Sequence, residues 1–306
     1  MAGLHGRDFL RITDISEAEM LELLTLAGQL KAGQEKIDCF GKILGLFFRK
    51  SSTRTRVSFS SAMWRLGGQV IDLNLNVMQV SRGEPIKDTA RILSGYLDVL
   101  AIRTFEQTEV QEFADYADIP VINALTDLEH PCQILADLKT VQEAFAGQLA
   151  GLTMTYLGDG NNVAHSLILG CALVGMNVCV ATPADYQPDA GIVAQAKELA
   201  GDRATITLTT DPKAAVEGAN VLYTDVWASM GQEDLAESRI PIFQPYQIND
   251  ELLAIAAKDA IVLHCLPAHR GEEITDSVIE GPQSRVWQEA ENRMHAQQAL
   301  LAKLLG

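Results

Sequence analysis

Apolar and polar residues alternate along this chain in two ways, as short apolar runs and as longer segments with helical spacing. Residues 43–48 form a continuous apolar run, which is typical of a strand buried on both faces. Ser16 and Glu19 have the spacing of a capping box, which predicts a helix from there to about residue 33. Gly67 and Gly68 indicate the end of another helix, which begins near residue 55.

The same two patterns continue through the rest of the chain. They predict further strands at 69–73, 99–103, 120–123, 152–157, 177–181, 205–209, 220–224 and 260–265. They predict further helices at 86–97, 109–116, 131–146, 162–174, 189–200, 249–257 and 289–305. Strands that alternate with helices predict mostly parallel sheets flanked by helices, an α/β fold. Residues 147–151 separate two such series, so two domains are expected, as the length of 306 residues also suggests.

Net charge restricts the possible partners. The chain has 40 acidic and 24 basic residues, a formal net charge of −16. Nucleic acids and anionic membranes both require a positive face, so neither is an expected partner. Residues 39–71 contain no acid, yet they include Lys42, Arg49, Lys50, Arg54, Arg56 and Arg65. This stretch indicates either a site for a small anion or chance clustering on a solvated surface.

Cysteine usage indicates a reducing compartment. The five cysteines are odd in number and contain no C-x-x-C pair, which argues against a disulfide framework or a zinc ribbon. The first residues lack an apolar signal segment, and the longest apolar stretch, 167–181, is too short to cross a bilayer. We therefore expect a soluble cytoplasmic protein.

Polar motifs come after several predicted strands of the first series. Ser52, Thr53, Arg54 and Thr55 come after strand 43–48 and open a helix, where free N–H groups, hydroxyls and a guanidinium favour an oxyanion. Their spacing differs from that of a P-loop, so a nucleotide is not implied. Arg103 ends strand 99–103. His130 and Gln133 begin a helix and are suited to a polarised carbonyl oxygen, although a histidine in this position alone is more often a structural or capping residue.

The second series carries further candidates. Gly158-Asp-Gly-Asn-Asn162 comes after a strand but lacks the third glycine of a dinucleotide fingerprint. Asp225 comes after another strand and suits a cationic amine. His264, Cys265 and His269 have no common zinc spacing, and a nucleophilic Cys265 assisted by histidine remains a second alternative.

The order of these motifs resembles the ornithine branch of the aspartate and ornithine carbamoyltransferase superfamily. The motifs are Ser-Thr-Arg-Thr, His-Pro-Cys-Gln, Gly-Asp-Gly-Asn-Asn, Asp-x-Trp-x-Ser-Met-Gly, His-Cys-Leu-Pro and Glu-Asn-Arg, and they extend from residue 48 to residue 293. The resemblance implies a carbamoyl phosphate domain, 1–147 with the last helix 289–306 packed back on it, and an ornithine domain, 148–288. It also implies a homotrimer or a multiple of trimers, with no metal and no organic cofactor.

The resemblance assigns roles residue by residue. The residues implied to bind carbamoyl phosphate are Ser52, Thr53, Arg54, Thr55, Gln79 from a neighbouring subunit, Arg103, His130, Gln133, Cys265, Leu266 and Arg293. Those implied to bind ornithine are Asn162, Asp225, Ser229 and Met230. Cys265, Arg103, His130 and Gln133 are the implied catalytic residues. Gln107 stands where bacterial relatives carry histidine, and the sequence alone assigns no role to this change.

The activity expected from this resemblance is transfer of a carbamoyl group from carbamoyl phosphate to the δ-amine of L-ornithine, as in arginine biosynthesis. Cys265, with Asp225 nearby, is the candidate to orient the amine and accept a proton. The nearest rival is a carbamoyltransferase for putrescine or N-acetylornithine. A non-catalytic paralogue and an NAD-dependent dehydrogenase are the more distant alternatives.

Overall fold

The computed structural model describes residues 3–228, 234 and 236–306, and it divides into two compact units. The first unit contains residues 1–136 and 292–306, and the second contains residues 137–291. The first unit is therefore discontinuous in sequence. Among the described residues, no helix is both long and apolar enough to cross a lipid bilayer.

A parallel sheet forms the centre of the first unit. Its strands are β1 (Ile43–Phe48), β2 (Gln69–Leu73), β3 (Val99–Arg103) and β4 (Val121–Leu125), in the spatial order β2-β1-β3-β4. The order changes direction between β1 and β3, and in open α/β sheets such a switch point is where ligands bind, beyond the carboxyl ends of the strands. Both strands are almost completely buried, as the continuous apolar run of β1 predicts.

Helices cover this sheet. They are α1 (Glu17–Lys31), α2 (Thr53–Arg65), α3 (Ile86–Ser94), α4 (Gln107–Tyr116) and the beginning of α5 (Pro131–Ala144). The core includes Phe47, Ile102 and Phe113, and the rings of Phe47 and Phe113 lie 4.9 Å apart. Ser16 accepts a hydrogen bond from Glu19 N and begins α1, so the predicted capping box is confirmed.

A second parallel sheet forms the centre of the other unit. Its strands are β5 (Thr153–Leu157), β6 (Asn177–Ala181), β7 (Ile206–Thr209), β8 (Val221–Thr224) and β9 (Ile261–His264), in the order β7-β6-β5-β8-β9. The switch point of this sheet lies between β5 and β8. The loops after these two strands are the predicted Gly158–Asn162 motif and Asp225.

The second unit also has a helical cover. Its helices are α6 (Asn162–Val174), α7 (Ala190–Ala200), α8 (Pro212–Val216), α9 (Ala236–Phe243), α10 (Asp250–Leu253) and α11 (Asp276–Ile279). Helix α6 is buried along nearly its whole length, which agrees with its mostly apolar sequence.

The last helix, α12 (Val286–Leu305), begins in the second unit and continues in the first. In the first unit, Gly6 N donates to Leu304 O at 3.0 Å, Lys31 Nζ donates to Asn292 Oδ1 at 2.7 Å, and Lys303 pairs with Glu22. The last helix thus packs on the first unit, and the predicted fold class of two parallel-sheet domains is confirmed.

Some predicted elements have different bounds in the structure. Helix α10 covers four residues and not 249–257, because Ala257 N leaves the helical pattern and donates to Ala219 O at 3.0 Å. Helices α8, α9 and α11 were not predicted, since each is short and α9 contains Pro241. Helix α12 begins three residues before the predicted start at 289.

Candidate active site

The N-terminus of α2 forms the first candidate site, at the switch point of the first sheet. Ser52 is the N-cap, and its side chain accepts a hydrogen bond from Thr55 N at 3.1 Å. Thr53 and Arg54 occupy the first turn and are exposed. Backbone N–H groups of such a turn attract an anion, and Arg54 adds a planar set of donors.

Two further arginines supply positive charge in this unit. Arg293 donates to Thr55 Oγ1 at 2.7 Å, and both residues are buried. Arg103 ends β3 and is buried, and the register of β3 on β4 shifts between Ile102 and Arg103. Bulges of this kind redirect a side chain next to an active site.

The histidine of this cluster is neutral. Burial lowers the pKa of His130 well below its ordinary value, and the positive charges of Arg293 and Arg103 lower it further. His130 precedes α5, and Gln133 in the first turn is completely buried, with its N–H donating to His130 O at 3.0 Å. The arrangement offers cations for a phosphate and a neutral imidazole for a carbonyl oxygen.

The basic stretch 39–71 does not form one continuous positive surface. Acids from other parts of the chain neutralise most of it, in the pairs Lys42–Asp98, Arg49–Glu109, Lys50–Asp127 and Arg56–Asp72. Within the described part of the chain, Arg54 and Arg65 are the two basic residues of the stretch that form no ion pair. The local excess of positive charge is therefore concentrated near Arg54.

Asp225 is at the centre of the second candidate site, in the other unit. Its carboxylate accepts hydrogen bonds from Cys265 Sγ, Asn161 Nδ2 and Val226 N at 2.9, 2.9 and 2.8 Å. Burial raises the pKa of the Cys265 thiol well above its ordinary value, and the negative charge of Asp225 raises it further. The thiol is therefore protonated at neutral pH and donates to Asp225, which disfavours the nucleophile alternative because that reaction needs a thiolate.

The loop after β9 is held from within the same unit. His264 Nδ1 accepts a hydrogen bond from Leu266 N at 2.9 Å, so the ring proton lies on Nε2 and is donated to Glu273 Oε1 at 3.0 Å. Leu266 has φ +57°, a left-handed conformation that costs free energy for a branched residue and often marks a functional loop. Among the described residues, His269 does not join His264 and Cys265 in one group of possible ligand atoms, so the structure does not assemble the metal alternative weighed for these three.

The loop after β5 contributes Asn161, which lies in the motif singled out from the sequence but was not among the assigned site residues. Asn161 Nδ2 donates to Asp225, and Asn161 Oδ1 also caps α6 by accepting from Val163 N and Ala164 N. Its position directly before an apolar helix was the signal that could have identified it. A Cβ on Gly160 would lie 2.3–2.6 Å from backbone atoms of residues 186–188, so this glycine serves close packing.

Other predicted residues have varied positions. Asn162 is the half-buried first residue of α6. Gln79 begins a 3-10 turn, Gln79–Arg82, and is exposed. Ser229 and Met230 lie outside the described residues.

Similarity to known proteins agrees with this geometry. A family model described as the carbamoyl-P binding domain of aspartate/ornithine carbamoyltransferase matches residues 7–143, and the model of the Asp/Orn binding domain matches residues 150–304. The chain belongs to the aspartate/ornithine carbamoyltransferase family.

Full-length relatives support the same assignment. The ornithine carbamoyltransferase of Nostoc punctiforme is 67% identical over 306 residues, which are 100% of this chain and 99% of that protein. The crystal structure of ornithine carbamoyltransferase from Gloeobacter violaceus has a TM-score of 0.91 at 57% identity and covers 99% of both chains. That of the Pyrococcus furiosus enzyme has a TM-score of 0.96 at 47% identity, covering 100% of this chain and 99% of that one.

Proposed function

We propose that this protein is an enzyme that transfers the carbamoyl group of carbamoyl phosphate to the δ-amine of L-ornithine, giving L-citrulline and phosphate. The observation that carries the proposal is that each of the two family domains has a polar cluster at the switch point of its sheet. The chemistry of each cluster matches that of one of the two substrates. The first cluster is cationic, and the second presents a buried carboxylate. The full-length similarity to ornithine carbamoyltransferases supports the same activity.

Carbamoyl phosphate is bound, in this proposal, by residues that suit its two halves. Ser52, Thr53, Arg54, Thr55 and Arg293 bind the phosphate, and Arg103, His130 and Gln133 bind the carbonyl end. Neutral His130 is suited to donate to the carbonyl oxygen, where negative charge develops during attack. Gln79 completes the site from a neighbouring subunit, and Cys265 and Leu266 border the carbamoyl group.

Ornithine is bound by Asn162, Asp225, Ser229 and Met230. The δ-amine of ornithine must first lose a proton to solvent, since the pKa of this amine in free ornithine resembles that of lysine, about 10.4. The neutral nitrogen attacks the carbonyl carbon, the C–N bond forms, and a tetrahedral oxyanion results. The bond to the phosphate oxygen then breaks, the nitrogen gives up its second proton, and the departing phosphate carries that proton away.

Asp225 is the better proton acceptor of the Cys265–Asp225 pair. The Cys265 thiol is already protonated and donates to Asp225 Oδ1, so it cannot accept another proton. The expectation that the thiol accepts the proton is therefore revised. Cys265 orients the amine through its sulfur, and the Asp225 carboxylate receives the proton before it passes to phosphate.

The biological setting is inferred from the reaction. We place the enzyme in the cytoplasm and in arginine biosynthesis, as a homotrimer that uses no metal or organic cofactor. Exposed apolar side chains on the first unit, among them Val57, Trp64 and Val77, supply surface for subunit contacts. The domains are proposed to be 1–147 with 289–306, and 148–288.

The decisive test is product formation. Purified protein is incubated with carbamoyl phosphate and ornithine, putrescine or N-acetylornithine, and phosphate and carbamoylated product are both measured. We expect citrulline from ornithine and little product from the other amines, because putrescine lacks the carboxylate and N-acetylornithine lacks the α-ammonium. Absence of citrulline at millimolar substrate would overturn the proposal.

Arg54→Ala tests the anion site directly. We expect the affinity for carbamoyl phosphate to fall about tenfold or more, since a charge-assisted contact to phosphate contributes on the order of 1.5–3 kcal/mol. Arg65→Ala is the matched control, because Arg65 also lacks an ion pair among the described residues but lies at the other end of α2. Unchanged binding by Arg54→Ala would contradict the assignment.

A further inference from the structure

A largely buried polar network joins Gln107 to the loop that leads into His130. Gln107 Oε1 accepts hydrogen bonds from Thr126 Oγ1 at 2.7 Å and from Asn123 Nδ2 at 3.2 Å, and its Nε2 donates to Leu10 O at 3.3 Å. One amide therefore connects the N-terminus of α4, the end of β4 and the N-terminal segment.

The loop itself is closed by Thr126. Its N–H donates to Glu129 O at 2.9 Å, and its hydroxyl accepts from Leu128 N and Glu129 N at 3.3 and 3.2 Å. These bonds fix the backbone up to the residue directly before His130. The position of His130 therefore depends on Thr126, which in turn is bonded to Gln107.

Glu129 provides a second connection to the N-terminal segment. Its side chain is completely buried, and Oε2 accepts from Ile12 N at 3.0 Å, whereas Oε1 has no hydrogen-bond partner among the described residues. Burial raises the pKa of Glu129 to about 7, and Asp14 also raises it, although Ile12 N–H and Arg11 lower it. Ionisation therefore places a poorly compensated charge next to His130 close to neutral pH.

We propose that Gln107 and Glu129 are positioning residues that fix His130 by tying its loop to residues 10–12. The inference rests on the proposed function only in the role that it gives His130. Neutral Glu129 leaves the loop in its packed position, and ionised Glu129 perturbs it. The facing charged groups are Arg11 and Asp14, and the carboxylate of Asp14 is already bonded to Leu10 N and Arg11 N.

The test that needs no turnover monitors the His130 ring by NMR from pH 6 to pH 8.5. We expect a resonance shift near pH 7 in the wild-type protein that disappears in Glu129→Gln, which keeps the shape of the side chain without its titration. Glu106→Gln is the control, because Glu106 is an exposed acid just before α4. A shift that persists in Glu129→Gln, or that is absent from the wild type, overturns the inference.

Kinetics provide the second test. Gln107→Leu should lower kcat roughly 10- to 100-fold with little change in KM for carbamoyl phosphate, because a displaced catalytic group weakens transition-state contacts more than phosphate binding. Gln111→Leu, in an exposed position one turn along the same helix, should retain wild-type kcat. Equal kcat in the two variants contradicts the positioning role. If the wild-type protein forms no citrulline, the proposed function is refuted, and the NMR titration alone then tests the positioning of His130.

Discussion

At the scale of single residues, the main chemical feature is the hydrogen bond from the Cys265 thiol to Asp225. An adjacent carboxylate raises the pKa of a thiol, and burial acts in the same direction. Reactive cysteines have the opposite surroundings, with positive charge nearby. Cys265 is therefore expected to react slowly with electrophiles although it lies in the candidate active site.

This leads to a prediction about alkylation. At pH 7–8, iodoacetamide should leave Cys265 unmodified in the native protein and label it readily after unfolding in urea. Asp225→Asn should raise the native labelling rate, because it removes the negative charge that helps to raise the pKa of the Cys265 thiol. Mass spectrometry of the Cys265 peptide measures both rates. Labelling of the native wild type as fast as that of unfolded protein would contradict the raised pKa.

At the scale of elements, the end of β9 depends on two carboxyl groups from helices. Glu289 of α12 accepts from His264 N at 2.8 Å and from Tyr223 OH at 3.2 Å, and it is hydrogen-bonded to Asp137 of α5. Two hydrogen-bonded carboxyls must share a proton. Burial raises the pKa of Glu289 well above its ordinary value, and the neighbouring Asp137 raises it further.

The shared proton predicts a pH-dependent stability. The unfolded protein releases this proton above about pH 4.5, but the native protein retains it, so the free energy of unfolding declines as pH rises from there through the native pKa. Asp137→Asn supplies a donor that does not titrate, and it should make this decline shallower. Urea unfolding between pH 5 and 8.5 measures this, with exposed Asp259→Asn as control. Parallel pH profiles of Asp137→Asn and wild type would refute the shared proton.

At the scale of elements, apolar segments could be predicted from the sequence, whereas long-range polar partners could not. The bounds of β1 and α6 were predicted correctly, because β1 is a continuous apolar run and α6 is a mostly apolar segment, and both lie next to polar caps or motifs. The polar motifs were also found at strand ends, where parallel sheets bring such loops together. Asn161, Glu129 and Glu289 were missed as site residues, because their roles come from partners 64, 117 and 25 residues away. The ion pairs of the basic stretch were missed for the same reason.

At the scale of the whole molecule, the proposal of a shared site between subunits has a specific consequence. If Gln79 acts in a neighbouring subunit, Gln79→Ala and Arg54→Ala damage different parts of one composite site. Subunits of the two variants are mixed in equal amounts and reassembled as trimers. An intact site then forms wherever a subunit with wild-type Arg54 is next to a subunit with wild-type Gln79.

The expected recovery is about a quarter of wild-type citrulline formation, from random cyclic assembly of the two variants. Each variant alone should be nearly inactive. Light scattering should report a mass of about 100 kDa, three times the 33.3 kDa chain, for the wild type and for the mixture. A mixture no more active than the sum of the separate variants would contradict a shared site.

The path of the chain through the two units also bears on its synthesis. Residues 137–291 are contiguous, whereas the first unit combines residues 1–136 with residues 292–306. Domains generally fold as units during translation, beginning from the N-terminus. Here the half that is translated second is the first to be complete as a folding unit. The unit that begins first along the chain is complete only after residues 292–306 have been translated and packed on it.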